Sequence, residues 1–268
     1  MNEIVLLVGC GNMGRAMLTG WRVARPDAAF HVVEPHAALR AAAAEIGADA
    51  VAEAPALPAD LRPDLVFLAV KPQVMPAVLP AYARFEQATF VSIAAGTTVA
   101  TLKAGLGAEA PIIRCMPNTP AAIGAGMMVS YATREVADGA KSLASDLLAA
   151  SGDVAWIDDE GLMDAVTAVS GSGPAYVFHL IECLAAAGAK AGLPEELAEK
   201  LALQTVMGAG RLAAESATPP ATLREQVTSP GGTTAAALAV LMQDGAMARL
   251  FASAVEAARA RGEALGRA

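Results

Sequence analysis

Hydrophobic and polar positions alternate along the first half of the chain in two registers. Short apolar runs of strand length are separated by stretches with a helical repeat, the pattern of a mostly parallel sheet covered by helices. The runs predict strands at Ile4–Val8, Phe30–Glu34, Asp64–Val70, Thr89–Ala94 and Pro111–Cys115, with two more at Gly126–Tyr131 and Val154–Ile157. Helices are predicted between them at Asn12–Ala24, Ala37–Ile46, Val99–Gly105 and Arg134–Ala150. After Asp158 the strand pattern stops. Alanine-rich helical segments follow, broken at Gly171–Pro174, Gly192–Pro194, Pro219–Pro220 and Ser229–Gly232. The expectation is an α/β protein: a Rossmann-like dinucleotide-binding domain over residues 1–158, then an all-helical domain for substrate binding and dimerisation over 159–268.

The helical half is apolar on more than one face, and so short a segment has few fully buried positions of its own. Burial against a second copy is the natural solution, so a dimer is expected. The stretch Ala165–Ala189 raises a membrane question, but Pro174, His179 and Glu182 interrupt it, and an interface helix fits better. Met1–Glu3 lead straight into an apolar run too short for a signal peptide's hydrophobic segment.

Composition narrows the partners. The net charge is −8, aromatics make up 4%, and there is no dense Lys/Arg run, which argues against nucleic acid or an anionic membrane surface. An anionic substrate must then be held by local donors. Cys10, Cys115 and Cys183 are odd in number and unpaired in spacing, which fits reduced thiols and a cytoplasmic protein. No Cys/His/Asp cluster has metal-ligand spacing, so no metal site is expected.

The first predicted strand ends in Gly9-Cys10-Gly11-Asn12-Met13-Gly14 and a helix follows. This is G-x-G-x-x-G in the context that gives it meaning. Gly9 permits the turn, Gly11 lets the backbone approach a pyrophosphate, and Gly14 lets the helix lie close on the strand, with phosphates on free N–H groups at its N-terminus. A merely tight βα turn is the bland alternative. Glu34 closes the second strand roughly twenty residues beyond the turn, where an acidic side chain meets the ribose 2′-hydroxyl of NAD. It leans towards NADH, whereas His36 and Arg40 nearby offer counter-charge for the phosphate of NADPH. Later loops at strand ends add Ala69, Val70, Lys71 and Pro72, then Ala94, Ala95 and Gly96, then Asn118. Lys71 and Asn118 are the polar groups expected to face the nicotinamide ribose and carboxamide; a solvated lysine and an Asn-stabilised turn are the competing readings.

The helical half has two Gly/Ser/Pro interruptions that feed helices, Ser170–Tyr176 and Ser229–Thr234. Exposed backbone N–H groups and a helix dipole make a carboxylate-sized cradle, with the Ser229, Thr233 and Thr234 hydroxyls as further donors. An ordinary helix break with an N-cap is the alternative for each. The histidines, His31, His36 and His179, form no His–Asp or His–Glu dyad evident in the sequence to remove an alcohol proton. A reductase without such a dyad suits a substrate that is already electrophilic, such as a protonated imine.

The stretches Gly9–Gly14, Ala69–Gln73, Ser92–Gly96, Met116–Pro120, Ser170–Tyr176 and Val227–Thr234, in this order over most of the chain, resemble the pyrroline-5-carboxylate reductase family. Val-Thr-Ser-Pro-Gly-Gly-Thr-Thr before an alanine/leucine helix is the most specific of them. The resemblance implies reduction of pyrroline-5-carboxylate to L-proline by hydride from NADPH or NADH, the last step of proline biosynthesis. It implies dimers, often built into larger rings. It further implies that the substrate carboxylate rests on Ser229, Gly231, Gly232 and Thr233, that Thr234 is the catalytic contact to the ring nitrogen, and that Glu160 and Gln226 border the substrate. The family commonly uses NADPH; Glu34 departs from the small or basic residues of those forms. Two other classes remain to be weighed. A β-hydroxyacid dehydrogenase shares the glycine turn but needs a lysine early in the second domain, and Lys190 and Lys200 lie further along. A non-enzymatic NAD(P)H-binding regulator should lack the second anion cradle.

Overall fold

The computed structural model describes residues 3–266. The first half forms an eight-stranded sheet ordered β3-β2-β1-β4-β5-β6-β7-β8. The strands are β1 Ile4–Val8, β2 Ala29–Val33, β3 Asp49–Val51, β4 Leu65–Leu68, β5 Thr89–Ser92, β6 Ile112–Met116, β7 Gly126–Ala132 and β8 Gly152–Ile157. Helices of this half are α1 Asn12–Ala24, α2 Ala37–Glu45, the short α3 Met75–Val78, α4 Val99–Leu106, α5 Asp138–Ala149 and the short α6 Met163–Val166.

From β3 through β6 neighbouring strands are parallel; β7 runs antiparallel to β6, and β8 parallel to β7. The central strands β1 and β4 are apolar along their whole length because helices cover both faces. Val5, Leu7, Leu65, Phe67, Val91 and Ile113 face one cluster, together with Met17, Leu18 and Trp21 of α1. Leu6, Val66, Leu68, Phe90 and Ile112 face a second, closed by Met75, Leu79 and Leu102. Trp21 lies against Phe67 with ring centroids 4.4 Å apart.

The predicted strands all form, mostly trimmed or shifted by a residue or more. One strand was not foreseen: β3 has only three residues, one an exposed aspartate, and sits at the sheet edge. The helix expected from Arg134 begins at Asp138, because residues 133–136 close a turn through Val136 N–H to Thr133 O. Asp138 in the first turn then complements the helix dipole.

The chain divides into two compact units, the first running to Gly171 and including the stretch from Ala258 onward, the second spanning Ser172–Ala257. The compact units thus divide beyond the expected boundary at 158. Residues 159–171 stay with the sheet because Glu160 is hydrogen-bonded to Val99 and Arg114 and because Gly171 lies against Met116. The end of the chain rejoins the first unit, where Gly262 fits against Asp164 and Leu265 reaches Gly96.

The second unit consists of α7 Gly173–Lys190, α8 Glu195–Glu215, α9 Pro220–Gln226, α10 Thr233–Met242 and most of α11 Ala246–Gly266. The first two form a hairpin in which Gly188 comes against Ala198, small residues letting the backbones approach. Within the chain α7, α10 and α11 bury no residue fully. Phe178, Leu184, Leu201, Met207, Leu241 and Phe251 are all exposed. The stretch Thr233–Gly266 is long and apolar enough to cross a bilayer by composition. A turn at Gln243–Gly245 interrupts it, with Asp244 left-handed at φ 50°, and Arg249, Glu256 and Arg259 follow, charges that are costly in hydrocarbon.

The sheet core sets a stability expectation. Phe67 is fully buried between helices and strands. Phe67→Ala should lower the unfolding free energy by about 3–5 kcal/mol, read by denaturant titration as a shifted midpoint with unchanged slope.

Candidate active site

The sheet order reverses direction between β1 and β4, and in such sheets a ligand crevice opens at the carboxyl ends of the strands beside that point. The loops after β1, β4, β5 and β6 all leave from this edge, as the registers Val8↔Leu68, Leu68↔Ser92 and Ser92↔Arg114 require. They carry the glycine turn, Ala69–Pro72, Ala94–Gly96 and Asn118 respectively.

The glycine turn has the stereochemistry a dinucleotide needs. Gly9 sits at φ 90°, and a side chain there would also press on Ala69 O and Val70 Cγ1 at 3.0 Å. A Cβ on Gly14 would stand 2.5 Å from Gly9 O, so α1 can seat against the turn only with hydrogen at that position. A Cβ on Gly11 would meet nothing within 4 Å. Gly11 is the N-cap of α1, and no side chain caps the helix, which leaves its first N–H groups for an anion. A cradle closed on one side by glycine contacts and open on the other fits a pyrophosphate. Asn12 is exposed at the first position of the helix, Met13 is half-buried, and Cys10 is fully buried, its thiol pushed up by burial first and then by the charge of Glu34.

Glu34 lies one residue beyond the end of β2, with 8% of its surface exposed. Its Oε2 accepts from Cys10 N–H at 2.7 Å and its Oε1 from His36 N–H at 2.8 Å. Arg40 is drawn onto the same corner, where Nη1 donates to the carbonyls of Glu34 and Pro35 at 2.9 Å. Lys71 is exposed at the head of its loop.

Two of the expected site residues also tie segments of the fold together. Asn118 does not stand free for a carboxamide: Oδ1 accepts from Met127 N–H at 2.9 Å, while Nδ2 donates to Ser170 O at 3.2 Å and approaches its Oγ at 3.3 Å. It pins β7 and the start of the Ser170–Tyr176 stretch to the loop after β6. Glu160 does the same with one oxygen: Oε1 accepts from Val99 N–H at 2.8 Å and from Arg114 Nη1 at 2.9 Å. Arg114 was missed in the sequence, although an arginine inside the apolar run Ile112–Cys115 is a signal that a buried partner exists.

In the second unit the Ser229–Thr234 turn is a cradle of the other kind. Gly231 has φ 68°, Gly232 N–H donates to Ser229 O at 3.0 Å, and Gly232 is the N-cap of α10 with no side-chain cap. The hydroxyl residues Ser229 and Thr233 are exposed, Thr234 is half-buried, and Gln226 is exposed at the end of α9.

A doubly wound dinucleotide fold with this glycine cradle, followed by a helical unit with a second uncapped anion cradle, defines a nicotinamide-dependent oxidoreductase of the two-domain kind. Family models match both parts, "NADP oxidoreductase coenzyme F420-dependent" over residues 3–96 and "Pyrroline-5-carboxylate reductase dimerisation" over residues 160–265. The pyrroline-5-carboxylate reductase of Pseudomonas aeruginosa is 44% identical over 253 residues, 90% of this chain and 89% of that one. A pyrroline-5-carboxylate reductase structure from Coxiella burnetii superposes with a TM-score of 0.92 at 33% identity, over 99% of both chains. The Plasmodium falciparum structure with NADP bound gives a TM-score of 0.81 at 30% identity, over 99% of this chain and 98% of that one. The chain belongs to the pyrroline-5-carboxylate reductase family.

Two outcomes follow from this geometry. Gly14→Ala should weaken dinucleotide binding by roughly tenfold or more, measured by calorimetry, because the added methyl forces α1 off the turn. Glu160→Ala leaves the Arg114 guanidinium buried without its carboxylate and should cost about 3 kcal/mol of unfolding free energy, the low end for such a pair because Glu160 reaches water.

Proposed function

We infer that this protein reduces pyrroline-5-carboxylate to L-proline, closing proline biosynthesis, with NADPH or NADH as hydride donor. Family membership runs through both halves of the chain, so the nucleotide unit and the helical unit carry one activity. The physical observation that carries the reading is the uncapped start of α10 behind Gly231 and Gly232. In a chain of net charge −8, a small carboxylate needs such a local site.

The residues divide the work as follows. The turn Gly9–Gly14 and the first N–H groups of α1 hold the pyrophosphate, with Ala69–Pro72 and Ala94–Gly96 along the same edge; Lys71 is the cation available to the ribose side. When bound, the reduced nicotinamide supplies the hydride. The substrate carboxylate accepts from N–H groups at the start of α10 and from the hydroxyls of Ser229 and Thr233. The Thr234 hydroxyl hydrogen-bonds the ring nitrogen and orients the imine. Protonated on nitrogen, the imine accepts hydride at carbon and leaves as a secondary amine, so no strong general acid is required in that step. Gln226 at the end of α9 borders this turn in sequence and belongs to the same shell. Asn118 and Glu160 act behind the site, by fixing the loops that carry it.

The exposed apolar faces of α7, α8, α10 and α11 fit the dimerisation role for which the matching family model is named, and self-association follows from it. A higher ring of dimers and a cytoplasmic location complete the proposal. Cys10, Cys115 and Cys183 are free thiols, which suits a reducing compartment. Nucleic acid and membrane are not expected partners of so acidic a chain.

The test is oxidation of NADH or NADPH on adding pyrroline-5-carboxylate, with proline identified as product and 3-hydroxyacids run in the reverse direction as the competing reaction. Thr234→Ala should depress imine reduction roughly ten- to a hundredfold with cofactor affinity nearly intact. Unchanged turnover with weakened cofactor binding contradicts the role given to Thr234.

A further inference from the structure

We propose that Glu34 makes this protein prefer NADH to NADPH, acting as a fixed acceptor for the adenosine ribose diol and a fixed negative charge against a 2′-phosphate. The inference rests on the dinucleotide reading of the glycine turn and goes further by naming the cofactor form.

The argument is geometric. An acidic side chain at the end of the second strand of such a fold lies where the adenosine ribose hydroxyls arrive. In this chain that side chain has no freedom to swing aside. It is 8% exposed, and each carboxylate oxygen is held by a backbone N–H, one from Cys10 in the glycine turn and one from His36 beyond the strand. A carboxylate has about four lone-pair sites, so two amide donors leave acceptor capacity for two hydroxyl donors. The ribose diol supplies such donors. A 2′-phosphate presents oxygens and about −1.5 to −2 charges at neutral pH, and brings no donor to offset the repulsion.

Arg40 keeps its positive charge at this corner but is held to it by neutral carbonyls. It spends Nη1 on the carbonyls of Glu34 and Pro35, which stiffens the corner that carries the carboxylate. His31 lies on the same strand but faces Asp49 at 3.9 Å. Glu34 thus both braces the glycine turn and selects the cofactor, and the two roles separate by substitution.

Calorimetric titration of NADH and NADPH into wild type, Glu34→Gln and Glu34→Asp, beside initial rates with both cofactors, tests this. Wild type should bind NADH about tenfold or more tightly than NADPH. Glu34→Gln removes the charge and replaces one acceptor oxygen with an NH2 that cannot accept from its backbone N–H; it should erase that ratio, chiefly by weakening NADH more than NADPH. Glu34→Asp keeps the charge but retracts it from Cys10 N–H; it should weaken both cofactors and preserve the preference for NADH. A purely structural role predicts equal losses for both cofactors in both variants. Wild type binding NADPH as tightly as NADH overturns the inference, as does an unchanged ratio in Glu34→Gln. If Glu34→Gln does not fold by circular dichroism, the wild-type and Glu34→Asp ratios decide. Failure of either cofactor to be oxidised by pyrroline-5-carboxylate, with the binding ratio as expected, would sink the functional reading and leave Glu34 as the selector.

Discussion

The nucleotide unit depends on one close approach, that of Gly14 to the carbonyl of Gly9. Helix α1 starts directly from the end of β1, and only a residue without Cβ lets it lie back on the turn. That seating directs the open N-terminus of α1 to the sheet edge and brings Trp21 against Phe67 on the sheet face. The same contact therefore serves the core and the anion site. A methyl group at position 14 would disturb both, which is why a glycine that costs helix stability is retained inside the first turn.

Around this contact the structure spends polar side chains on holding loops in place. Glu34 braces the glycine turn, Glu160 and Arg114 fasten the start of α4, and Asn118 joins β7 to the residues leading into the helical unit. Glu34, Glu160 and Asn118 each accept from a backbone N–H of another segment, and Arg114 holds Glu160. Loops at the carboxyl edge carry the chemistry in α/β proteins, and without such ties their own backbone bonds would not fix them. The cofactor edge is thus rigid because its acidic and amide side chains point inward.

Most of the fold was legible because apolar strand runs and glycine turns are local signals. The ends of β1 and α1 could be read to the residue, since a strand running into G-x-G-x-x-G leaves no freedom of register. The edge strand β3 was not legible: three residues with an exposed aspartate carry too little hydrophobic pattern. The place where the helical unit begins was obscured for a different reason. Residues 159–171 read as helical and apolar, and what binds them to the sheet is the long-range pairing of Glu160 with Arg114, which no local pattern encodes. The same limit applies to the site. Loop position pointed to Glu34 and Asn118, and the family resemblance to Glu160, but only the fold shows the backbone groups and the Arg114 guanidinium that they bind.

The bare apolar surface of the helical unit has a thermodynamic consequence. Helix α7 buries no residue fully within its own chain, and only Ala198 and Ala202 of α8 do so. A segment with so little interior owes much of its free energy of folding to a second molecule, so mass action enters its stability: the melting temperature should climb with subunit concentration, and at high dilution monomer release and unwinding of these helices become one event.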